Sequence, residues 1–88
     1  MSVIDNFIGL IQRTSDSFIR DNIYMIDRPL MARAFKNVDS QYQEKVFRNM
    51  SPDGVSEVKR LMANLGDISA QEIESAQQQI ISMAAMAF

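Results

Sequence analysis

The sequence holds no cysteine, no histidine and no tryptophan. Without cysteine there is no disulfide framework, which small secreted domains usually need, so a reducing cytoplasm is the expected setting. Without Cys and His, tight zinc sites and the common nucleophile–base pairs are excluded. Hydroxyl nucleophiles remain, but only Lys or a carboxylate could serve as their base. The three glycines are isolated, so no phosphate-cradling loop is expected. Glu72 and Glu74 are two residues apart and would point to different faces of a helix, so they make no acid–base pair. The chain is expected to be no enzyme and to need no cofactor or metal.

Charge of one sign is also scarce. Nine Lys and Arg stand scattered against eleven Asp and Glu, a net of −2. With no basic stripe to neutralise phosphates, nucleic acid and anionic lipid are not expected partners. No apolar run reaches the roughly 18 residues of a membrane span, so no direct membrane insertion is expected. The longest run is the final IISMAAMAF. The first residues, MSVIDNFIGL, carry an acid where a signal peptide would be basic. Residues 1–88 read as one small domain, which buries about 60–65% of the surface its unfolded chain exposes.

What the chain does have is helical periodicity. The spacing predicts a helix over 3–13 with Ile4, Phe7, Ile8 and Ile11 on one face. A second runs over 16–26, capped by Ser15, with Ile19, Ile23 and Ile26 as its stripe and an Asp16–Arg20 pair outside. A third begins around Pro29, with Leu30, Met31, Ala34 and Phe35 inward. A fourth, over 40–50, follows Asp39 or Ser40, carries Tyr42, Val46, Phe47 and Met50, and pairs Glu44 with Arg48 outside. Ser51-Pro52-Asp53 then suits a new helix start over 52–64: a hydroxyl cap, a first-turn Pro, and an acid toward the dipole. Its stripe is Val55, Val58, Met62 and Leu65, and Gly66 ends it. Ser69 to Glu72 forms a capping box for a sixth helix with Ile73, Ala76, Ile80 and Met83 on one stripe. No segment alternates with period two for long enough to be a strand. The fold class is all-α: a compact bundle of six short helices.

Between Ala32 and Ser51 the sequence resembles the C-terminal domain of the flagellar motor switch protein FliG. That family reads Ala-x-Ala-Leu-Lys-Gly, then Glu-Lys-Phe or similar, then Asn-Met-Ser. Here Ala32, Ala34 and Lys36 match, as do Glu44 and Lys45, and Asn49-Met50-Ser51 is complete. Weaker likeness extends over roughly 15–81, through Asp16, Ile19, Asp27, Ala63, Gly66, Glu74 and Gln77. The resemblance implies an armadillo-like bundle on the rotor, facing the membrane-embedded stator from the cytoplasmic side. It implies protein partners, rotor or stator, and a ridge of charges that couples ion flow to torque, and so a place in motility and chemotaxis. The family's upstream helical domains are not among these 88 residues. Where its Met-Phe-x-Phe hinge would stand, this chain has Asp5-Asn6-Phe7-Ile8.

Carried over residue by residue, the ridge changes character. The motif's Lys is kept as Lys36. The Arg two places after the motif's Ser becomes Asp53, and the adjacent acidic pair becomes Arg60 and Leu61. The Arg after Gly-Pro-Val becomes Ser69. Two positions reverse sign and two lose charge, which matters because like charges across an interface cost affinity. Lys36, Asp53 and Arg60 are therefore expected to be solvent-exposed on one side, as a partner surface; the bland alternative is a solvated helix face. The tail supplies a second candidate. Ile81, Met86 and Phe88 either cover the first helix or meet another chain, including a second copy through the sixth helix. The competing function is a generic helical adaptor or oligomerisation module that keeps the bundle without a motor role. Met83 and Met86 have a spacing open to copper, but read as gap-filling side chains. Asn49-Met50-Ser51 is formally a glycosylation acceptor, without meaning at a cytoplasmic helix end.

Overall fold

Helix ends dominate a bundle of short helices, because each leaves about four N–H and four C=O groups without an intrahelical partner. In the computed structural model, which describes residues 2–87, several of the polar contacts between elements fall on these ends. The order is α1 (Val3–Arg13), α2 (Asp16–Asn22), a 3₁₀ turn (Ile23–Met25), α3 (Arg28–Ala34), α4 (Ser40–Phe47), α5 (Pro52–Leu65) and α6 (Ala70–Ala87). The described residues contain no strand, and no helix among them is long and apolar enough to cross a membrane.

The N-terminal caps fall where the hydroxyls are. Ser15 accepts from the Phe18 amide at 3.2 Å, Ser51 from Gly54 at 3.1 Å, and Ser69 from Glu72 at 3.1 Å. Removing the last by Ser69→Ala is expected to cost about 0.5–2 kcal/mol in chemical denaturation. An unchanged midpoint would mean that α6 does not depend on this cap.

The C-terminal carbonyls are met mostly by side chains from other elements. Lys45 of α4 donates to Ile11 and Gln12 at the end of α1, at 2.8 and 2.9 Å. Gln43 donates to Phe35 and Val38 at 3.0 and 2.9 Å, closing the corner after α3. Gln77 of α6 reaches Ala34 at 3.0 Å. A cation at these ends also complements the helix dipole. At Gly66, after α5, φ is 62°, a conformation that only glycine adopts without strain.

Packing follows the apolar stripes. Phe35, 2% exposed, sits between Phe7 at 6.1 Å and Phe47 at 5.5 Å, so α1, α3 and α4 meet on one aromatic chain. Val58 is fully buried on α5, and Ile73, Ala76 and Ile80 are buried on α6. Arg28 at the start of α3 pairs with Glu57 in the first half of α5 at 2.7 Å, and Lys36 past the end of α3 reaches Met62 in the last turn of α5. The two helices therefore run side by side in the same direction. The accessible surface is 5276 Å². A compact monomer of this mass exposes about 5,200 Å², so ordinary burial is reached without another chain.

Three sequence expectations give way. The second helix ends at Asn22 and tightens into the 3₁₀ turn, and the fourth ends at Phe47, short of Met50. The local pairs Asp16–Arg20 and Glu44–Arg48 are replaced by one long-range pair, Arg48 on Asp16 at 2.9 Å, while Arg20 turns to Asn49 at 3.3 Å. The cause is the way α4 lies beside α2, which brings Arg48 onto both carboxylate oxygens. The hydrogen bond from Arg48 holds the Asp16 carboxyl below its ordinary range. Its small contribution is therefore present at neutral pH and fades as pH falls through that lowered value.

Candidate partner-binding surface

The Asn-Met-Ser corner is built for geometry. Asn49, 7% exposed, donates its amide to Lys45 in the last turn of α4 at 2.8 Å and accepts from Arg20. Met50 lies against Gly54, where an added Cβ would meet its Cε at 3.2 Å. Ser51 caps α5. Each motif residue thus fixes the angle at which α5 leaves α4, and the outward face of α5 depends on that angle.

On that face Asp53 and Arg60 are both exposed. Seven residues apart on one helix, they share a side, separated by about 10 Å along the axis. Between them Glu57 lies one turn from each and is neutralised by Arg28. Sequence reasoning missed this pair, although the 53-57-60 spacing places all three side chains on one face. Farther round α5, Lys59 holds its ammonium 5.5 Å from the centre of the Phe47 ring. No ion pair is present for Asp53 or Arg60 among the described residues.

Lys36 does not join them as a free charge. It is half-buried, and its ammonium donates to the Met62 carbonyl at 3.2 Å, capping the end of α5. The expectation of full solvent exposure fails there, because a cation just past α3 lies next to the unpaired carbonyls of the parallel helix. Lys45, the other lysine of the motif, does the same for α1.

The tail residues divide. Ile81 is half-buried against the core, while Met86 is 88% exposed. Phe88 lies outside the described residues. Gln77, which entered the sequence reading only through the weaker resemblance and not as a core residue, is fully buried: its amide nitrogen donates to Ala34 and to Asn37 at 3.0 and 2.8 Å, and its oxygen has no partner among the described residues. Its spacing from Ile73 and Ile80 places it in the middle of the α6 stripe, a signal that was available.

The model of the FliG C-terminal domain matches residues 5–87. The chain belongs to that family. It is 35% identical over 83 residues to the flagellar motor switch protein FliG of Borreliella burgdorferi, covering 94% of this chain and 23% of that protein. With FliG of Thermotoga maritima it shares 28% over 83 residues, covering 94% and 24%, and with FliG of Vibrio cholerae 26% over 84 residues, covering 96% and 23%. The chain thus spans about a quarter of the length of these FliG relatives. No solved structure matches it at comparable significance. The family match takes in α1, which the motif resemblance, starting near residue 15, left out.

Proposed function

We propose that this domain is a protein-interaction module of a flagellar rotor, acting at the cytoplasmic face of the inner membrane. It contributes to torque and switching through the outward face of α5 and carries out no catalysis. Membership of the FliG C-terminal family supports the motor setting. The observation that carries the site is the exposed Asp53–Arg60 pair, with the intervening Glu57 held by Arg28. That face offers a partner one anion and one cation at a defined spacing. The partner, a stator or another rotor protein, presents the complementary order.

The test is binding to the stator's cytoplasmic region from the same cell, with Asp53→Arg and Arg60→Glu separately. Each reversal is expected to slow association about tenfold at low salt, with the loss shrinking as salt rises. Arg60→Glu should leave thermal stability within about 0.5 kcal/mol, because the charge is exposed, while Asp53→Arg, in the first turn of α5, should cost about 0.5–1 kcal/mol through the helix dipole. A second reading rests on Met86, whose side chain is almost wholly in solvent. If both reversals leave binding intact while Met86→Ala or Ile81→Ala abolishes it, the apolar end of α6 is the contact surface, toward another protein or a second copy.

A further inference from the structure

α2 and the 3₁₀ turn bury little for their length. Of residues 16–25 only Ile19 is buried, whereas α3 buries Leu30, Met31, Ala32 and Ala34. Against the segment lies an apolar pocket of about 100 Å³, partly open to solvent, lined on the other side by Phe7, Met31, Phe35, Ile80 and Met83. Side chains that line such a pocket forfeit part of the dispersion contacts a filled core supplies. The two polar side chains on the lining are already spent: the Thr14 hydroxyl on Leu10, and the Asn22 amide on Phe18. The pocket therefore offers water few partners. Among the segment's polar ties to the body are Arg48 and Asn49 on Asp16 and Arg20 on Asn49, the pair from Arg48 exposed and so of small worth. At both ends, Ser15 and Ile26, the backbone is extended, with ψ of 152° and 122°.

We infer that residues 16–25 form a hinged wall that opens as a unit, at a fraction of the free energy needed to unfold the domain. The hinges are the extended residues at 15 and 26, and opening uncovers the pocket wall. The pair from Arg48 acts as the latch. This inference does not depend on a motor role.

Native-state hydrogen exchange of the 88-residue chain in low urea tests it. The amides of Ile19, Ile23 and Ile26, bonded to Ser15, Ile19 and Ile23, are followed against Ile80 in α6. The three should exchange together, at least about tenfold faster than Ile80, with a weaker urea dependence. Arg48→Gln and Asp16→Asn should each speed the three more than they speed Ile80. Equal rates and equal urea slopes for all four amides would overturn the inference. So would variants that speed all four alike, since the wall would then unfold only with the whole.

Discussion

Val58→Asp is expected to abolish cooperative unfolding of the domain. Val58 is fully buried in the hydrophobic core, on the helix that packs against α3. A charge there loses its hydration without a partner, and protonating the carboxyl to avoid this still leaves a buried polar group. The penalty is comparable to the whole stability of so small a domain, roughly 5–10 kcal/mol. Val58→Ala, which only opens space, should cost about 2–3 kcal/mol and keep a sharp transition. Circular dichroism during thermal melting separates the two. A Val58→Asp protein that melts near the parent temperature would place that stripe in water.

The second large effect is expected at Gln77. The parent amide donates to the Ala34 carbonyl and to the Asn37 side-chain oxygen from a fully buried position. Gln77→Glu sets a carboxylate against both acceptors. Asn37 can turn its amide and donate, but the Ala34 carbonyl cannot. The cost should be about 2–4 kcal/mol at neutral pH. Burial and the carbonyl both raise the new carboxyl's folded-state pKa above its unfolded value. The defect must therefore shrink as pH falls, because the folded state is the one that favours the proton. Gln77→Met, which also removes the unpaired oxygen, should cost less and show no such pH dependence. Melting temperatures across pH distinguish the variants; parallel curves for the parent and Gln77→Glu would contradict the buried geometry.

The apolar spacing was readable residue by residue. Ile73, Ala76 and Ile80 on α6, and Leu30, Met31, Ala34 and Phe35 around α3, are buried as their periodicity requires. Ser15, Ser51 and Ser69 cap where their positions before helical runs predict. Local pattern carries these features because they depend on neighbours within one turn. The partners of long polar side chains were less readable. Arg48 had Glu44 one turn away and instead took Asp16, 32 residues distant, because the crossing of two helices is not written in either helix alone. Lys36 looked like a surface charge and Lys45 was read only as a motif match, yet both cap helices contributed from elsewhere in the chain. The early ends at Asn22 and Phe47 had no Gly or Pro to mark them. On the candidate surface, Asp53 and Arg60 were legible as one face of α5. The neutralised Glu57 between them needed the parallel placement of α3.

The central claim is that the α5 face meets its partner through the order of charge it presents. The most direct measurement is rotation of tethered native cells whose own copy carries Asp53→Arg together with Arg60→Glu. Both changes lie on exposed positions, so the domain should fold and filaments should assemble. The account predicts that torque at low speed falls sharply in these cells, because the native partner now faces the opposite order of charge. Full torque from the doubly reversed protein, at native abundance, would contradict it.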